Sequence, residues 1–133
     1  MPFVVDVSVA ACWLMPDEDS NAATVAFERL TTDPAVVPSL WWFEIRNMLL
    51  VNERRRRLDE TQTTRALALL AQLPFRIDTS PDSTSVMRLA RQHRLTAYDA
   101  AYLELAQRLV LPLATLDDAL ASAARREGVP LVG

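Results

Sequence analysis

Short β-rich runs alternate with longer helical stretches along this chain, and that alternation constrains its fold more than any other feature. The run "FVVDV" (3–7) fits a buried strand. "SVAACWLM" then reads as a short helix, stopped by Pro16 and the acidic turn "DEDS". A helix from a Ser20 cap to Leu30 follows, and "AVVP" gives a second strand. "SLWWFEIRNMLLVNERRRR" reads as a long helix with Ser39 as its candidate cap. Asp59 with Gln62 three residues on has the spacing of a capping box, opening a helix that reaches Leu73. "FRID" is a third strand, and Ser80 before Pro81 predicts a cap and a first-turn proline for a helix to about Arg94. Thr96 opens the next helix, to Leu109. "LPLATL" (111–116) is a fourth strand, followed by a helix ended by Gly128 and a last strand, "VPLV". This order predicts one α/β domain over residues 1–133. Its sheet is mostly parallel, with four to five strands and right-handed crossovers.

In such sheets ligands bind beyond the carboxyl ends of the strands. Asp6 closes the first strand and Asp117 closes the fourth, so two carboxylates are delivered to one edge. A third acid, Glu44, is set among Trp41, Trp42, Phe43, Ile45 and Met48, with Asn47 one turn on. A fourth, Asp99, interrupts the apolar helical pattern of "LTAYDAAYLELA", where aspartate is a poor helix former and costly to bury. Each has a plain structural alternative. Asp6 is placed to cap the helix after its strand, and Glu44 to be an exposed helix residue. Thr96 and Asp99 have capping-box spacing, as do Thr115 and Asp118. The alternatives leave unexplained why four acids all stand at strand ends and helix faces beside apolar sequence. Clustered carboxylates repel and remain ionised together only with a compensating cation. A ligand set of oxygens alone suits Mg²⁺ or Mn²⁺ and argues against zinc.

Composition removes competing chemistries. All fourteen basic residues are arginine, so neither a P-loop lysine nor a Schiff base is available. The two glycines, Gly128 and Gly133, lie near the end of the chain, which excludes a glycine-rich dinucleotide loop. The single cysteine, Cys12, permits no disulfide within the chain and is expected to be a small buried hydrophobe. The single histidine, His93, is expected to be solvated. Trp13, Trp41 and Trp42 are expected in the core or at a dimer interface. No apolar run approaches the ~20 residues that span a bilayer, and no basic leader precedes the first strand, so a cytoplasmic protein is expected. The net charge of −3 advertises no global affinity for nucleic acid. The arginines of "ERRRR" are expected as a solvated helix end, with phosphate contact as the functional alternative.

Four segments in order carry a family resemblance. "VVDVSV" resembles a first-strand Asp-x-Ser with Asp6 and Ser8, and "PSLWWFEIRNML" a Pro-led helix with Glu44 and Asn47. "LTAYDAAYLELA" is similar to a central helix bearing Asp99, and "LATLDDALASAARREGVPLV" to a Thr-x-Asp segment with Thr115 and Asp117. Together they resemble PIN-domain ribonucleases, and more closely the VapC toxins of bacterial toxin–antitoxin pairs. The resemblance implies a PIN-like three-layer α/β sandwich with Asp6, Glu44, Asp99 and Asp117 as catalytic residues around Mg²⁺, Mn²⁺ being the substitute. It implies Ser8, Asn47 and Thr115 as residues that orient ligands or waters. It further implies hydrolysis of RNA phosphodiesters to a 3′-hydroxyl and a 5′-phosphate, a homodimer, and a cognate antitoxin. Asp118 departs from the pattern as an extra acid, leaving open which of Asp117 and Asp118 lies nearer the metal. The alternative is a non-catalytic PIN scaffold that binds RNA or protein.

Overall fold

The structure, a computed structural model, describes all 133 residues. Four strands form one sheet: β1 (Phe3–Val5), β2 (Ala35–Pro38), β3 (Phe75–Asp78) and β4 (Leu113–Ala114). Their spatial order is β3-β2-β1-β4 and every pairing is parallel. Seven helices flank the sheet: α1 (Val7–Leu14), α2 (Asn21–Arg29), α3 (Leu40–Arg54), α4 (Glu60–Gln72), α5 (Ser83–His93), α6 (Ala97–Leu109) and α7 (Asp118–Arg126). The expected α/β architecture with a four-stranded parallel sheet is therefore what forms.

The strand order explains the layout. From β1 the chain steps to β2 and then β3, reaching one edge. It must then cross the sheet to place β4 on the far side of β1, and α5 and α6 make that crossing. Accordingly α6 packs against β1, β2 and β4. Ala100, Ala101, Tyr102, Leu103, Glu104, Leu105 and Ala106 are all buried, so the middle of this helix is covered on every side. An all-round apolar pattern is what such a central helix requires. Phe3, Val4, Val5, Ala35, Val37, Leu103, Leu113 and Leu120 are the sealed centre of the core. Each fully buried Val, Leu or Phe there contributes roughly 1.5–3 kcal/mol. A smaller cluster of Met15, Leu49, Leu58 and Ala66 seals α3 against the start of α4.

Several sequence expectations are corrected. The first strand ends at Val5, because Asp6 turns the chain and caps α1. The fourth strand shrinks to two residues, and the expected last strand is a single bridge between Leu113 and Leu131. Ser39 makes no capping bond, and α3 opens in helical geometry without one. Neither Ser80 nor Pro81 starts α5. Asp82 caps it, accepting from Ser85 N–H at 3.0 Å, while its own N–H is taken by Glu104 of α6 at 3.2 Å. That tertiary acceptor selects Asp82 over the local Ser-Pro signal. The side chain of His93 is 4% exposed rather than solvated, its Nε2 lying 2.7 Å from Glu127. Cys12 is only partly buried. The capping box of Asp59 and Gln62 forms as expected.

Candidate active site

The order β3-β2-β1-β4 reverses direction at β1, and that reversal is where α/β sheets leave a crevice for ligands. Asp6 follows β1 and Asp117 follows β4, so the two acids flank it. Asp6 is 4% exposed. Its Oδ1 accepts from the Ser8 hydroxyl and, at 3.2 Å, from Val9 N–H, while its Oδ2 accepts from the Thr115 hydroxyl. Both hydroxyls also accept. Leu116 N–H donates to Ser8 Oγ at 2.8 Å, and Asp117 N–H to Thr115 Oγ1 at 3.0 Å. Ser8 and Thr115 thus tie the carboxylate of Asp6 to the loop that leads into α7.

Asp117 is the N-cap of α7, its Oδ1 accepting from Ala119 N–H at 2.9 Å and Leu120 N–H at 3.1 Å. Capping does not remove it from the crevice, since its charge acts on both Asp6 and Asp99. Asp118 is exposed in the first turn of α7 and joins no part of the cluster. Asp99 answers its own puzzle differently. Thr96 caps α6, its hydroxyl accepting from Asp99 N–H at 3.1 Å. The Asp99 carboxylate makes no reciprocal bond to the Thr96 backbone, and the Thr96 hydroxyl is its one protein partner. Glu44 comes from the second turn of α3 and is half-buried. Its Oε1 accepts from the Tyr102 hydroxyl at 2.6 Å. Asn47 is exposed and makes no side-chain hydrogen bond.

The electrostatics tie these acids into one group. Burial pushes the Asp6 carboxyl above the ordinary carboxylate range, against three hydrogen bonds that favour ionisation, and the charge of Asp117 adds to the rise. Burial also raises Asp99, with the charges of Asp117 and Asp6 adding. Glu44 is raised by burial and by Asp99 and Asp6, while the Tyr102 bond opposes the rise. Four side chains from four separate segments therefore share one negative field. They stand apart in it, and no three acidic, histidine or cysteine side chains of the chain converge into a ready ligand set. Magnesium does not require one, since it is commonly bound by one or two carboxylates and keeps its remaining waters. An all-oxygen, mutually repelling donor group fits such an ion.

Two residues of functional interest escape a reading of motifs alone. Tyr102 is 1% exposed, and a phenol buried in an apolar helix must find an acceptor. Its place three residues after Asp99 was the available signal. Glu104 is buried and bound by Arg108 Nε at 2.8 Å, the same arginine reaching Asp78 at 2.6 Å. The Glu-to-Arg spacing of four residues signalled that pair. The arginine run is divided. Arg57 binds Asp17, Glu18 and Asn52, whereas Arg54, Arg55 and Arg56 are exposed and form no ion pair. The tryptophans divide as well. Trp41 is buried, Trp13 donates to Ala23 C=O at 2.8 Å, and Trp42 is exposed beneath Arg46, 3.6 Å from its ring centre.

The chain belongs to the PIN-domain family, whose profile matches residues 3–126. Within that family it is similar to Ribonuclease VapC3 of Pyrobaculum aerophilum, with 33% identity over 129 residues, 91% of this chain and 93% of the relative. Among solved structures, PAE2754 from Pyrobaculum aerophilum superposes with a TM-score of 0.72 at 26% identity, covering 92% of this chain and 84% of that one. FitAcB from Neisseria gonorrhoeae shares the fold at a TM-score of 0.68 and 16% identity, covering 100% and 97%. A toxin–antitoxin complex from Klebsiella pneumoniae shares it at 0.58 and 20%, covering 86% of each chain.

Proposed function

We propose that this chain is a VapC-type endoribonuclease toxin that hydrolyses RNA phosphodiesters with Mg²⁺ or Mn²⁺ and is inhibited by a cognate antitoxin. The observation that carries the reading is the delivery of Asp6 and Asp117 to one crevice by the adjacent parallel strands β1 and β4, tied together through Thr115, with Glu44 and Asp99 acting on the same charge cluster. The similarity to Ribonuclease VapC3 supports RNA as the substrate, and the antitoxin as partner belongs to the same reading. A homodimer and a cytoplasmic setting belong to the same reading. No helix is long and apolar enough to cross a membrane.

Asp6, Glu44, Asp99 and Asp117 would hold the ion, directly or through its retained waters, and the ion when bound would neutralise charge on the phosphoryl group and lower the pKa of a bound water. The chain's own residues do the rest. Ser8 and Thr115 fix both oxygens of Asp6, so its orientation costs nothing when a ligand arrives. Arg54, Arg55 and Arg56 provide local positive charge for phosphates on a protein of net charge −3.

Purified chain free of antitoxin, incubated with structured RNA, tests the reading. Cleavage is expected with Mg²⁺ or Mn²⁺, and none with EDTA or in Asp6→Asn and Asp99→Asn. An intact substrate with the native protein and either metal overturns the proposal and favours the non-catalytic scaffold.

A further inference from the structure

Glu44 differs from the other three acids. Asp6 and Asp117 are held by backbone N–H groups at helix starts, and Asp99 stands in the first turn of α6. Glu44 projects from the second turn of α3 on a longer, more flexible side chain, and Tyr102 Oη supplies its one hydrogen bond. Tyr102 itself is sealed in the core, so its phenol cannot swing away to another partner. In that bond the phenol is the donor and Glu44 Oε1 the acceptor. Asp99 and Tyr102, three residues apart, share one face of α6. One helix therefore supplies an acid of the cluster and the group that aims an acid of another helix.

We infer that Tyr102 is a positioning residue, holding Glu44 Oε1 by a 2.6 Å hydrogen bond so that Oε2 is presented to a divalent cation shared with Asp99. The inference rests on the nuclease reading above. A purely structural role for the phenol predicts lower stability with unchanged metal affinity in the folded protein. A positioning role predicts a change in metal affinity, because partners that orient a ligand are worth about tenfold to a hundredfold in binding.

Mn²⁺ binding by the full chain, followed by electron paramagnetic resonance or calorimetry, separates the two. Tyr102→Phe is expected to weaken Mn²⁺ binding by about tenfold or more. At saturating metal it is expected to lower kcat for RNA cleavage with little change in KM. In a Glu44→Gln background the same substitution is expected to add nothing. A second measurement leaves position 102 intact. The chain has two tyrosines, so ¹³Cζ-tyrosine labelling gives two resonances. Mg²⁺ is expected to move that of Tyr102, and Glu44→Gln to abolish the movement. Wild-type protein that binds Mn²⁺ and cleaves RNA, with Tyr102→Phe binding equally well or with a Tyr102 resonance indifferent to Mg²⁺, overturns this inference alone. Wild-type protein that neither binds Mn²⁺ nor cleaves RNA overturns both readings.

Discussion

Replacing Thr115 by valine keeps the shape of the side chain and removes one oxygen from the centre of the site. That oxygen donates to Asp6 Oδ2 and accepts from Asp117 N–H at 3.0 Å. A hydrogen bond to a charged group contributes about 1.5–3 kcal/mol, and an orphaned buried donor costs about 1 kcal/mol more. Asp6 is 4% exposed, so little water can take the place of the lost hydroxyl. The expected loss at neutral pH without metal is about 2.5–4 kcal/mol. At ~2.1 cal/mol/K of unfolding entropy per residue, the midpoint of this chain falls by roughly 10 °C. Urea unfolding in EDTA measures it, with an expected drop in the midpoint of about 1–2 M at unchanged slope. Thr115→Ser keeps the oxygen and is expected to lose less than about 1 kcal/mol. The penalty of Thr115→Val also shrinks as pH falls through the raised pKa of Asp6, because the acceptor becomes neutral. A loss below about 1 kcal/mol would refute the view that this hydroxyl organises the crevice.

Other consequences concern charge and strain. The carboxyls of Asp6, Glu44 and Asp99 are raised, so the native state holds protons that the unfolded chain has released, and metal-free stability falls as pH rises through that window. Asp99→Asn is expected to be neutral or stabilising in EDTA at neutral pH, and to abolish the stabilisation that Mg²⁺ gives the native chain, as urea melts at several pH values would reveal. Glu127 behaves oppositely. The His93 bond, with smaller help from Gln107 and Arg88, holds its carboxyl below the usual range, so its contribution exists above the ordinary glutamate pKa and fades as pH falls through the lowered one. Glu127→Ala is expected to cost about 1.5–3 kcal/mol at neutral pH, and less in acid, in the same melts. Val110 is 80% exposed at φ 56°, a left-handed conformation that a β-branched residue tolerates poorly. Val110→Asn is expected to raise stability by about 1 kcal/mol in thermal unfolding.

The readable part of this protein was the part written in local chemistry. Ser20, Asp59 and Thr96 announce helix starts because a capping side chain satisfies donors two or three residues away. Asp6 and Asp117 were placed at one edge by strand assignment, since parallel strands deliver their carboxyl ends together. What stayed hidden depended on partners remote in sequence. The length of β4 is set by its neighbours β1 and Leu131, and nothing inside "LPLATL" limits it to two residues. The start of α5 was settled by Glu104, twenty-two positions away. The burial of His93 depends on Glu127, which the intervening α6 and β4 bring alongside. The acceptor for the Tyr102 hydroxyl, Glu44 of α3, lies 58 positions away, and no local spacing announces it. Asp99 showed the converse. Its spacing from Thr96 suggested a capping box, yet its carboxylate lies with Asp6 and Asp117 and leaves the cap to Thr96 alone.

The claim at the centre is that Asp6, Glu44, Asp99 and Asp117 together bind one region of divalent charge. Anomalous diffraction from crystals soaked in Mn²⁺ tests it without reference to any substrate. Manganese density is expected in the crevice beside β1, with Asp99 among its ligands, and none there in Asp99→Asn crystals. Ordered carboxylates at saturating Mn²⁺ with no density between them, or density only at unrelated acids such as Asp17 and Glu18, would contradict it.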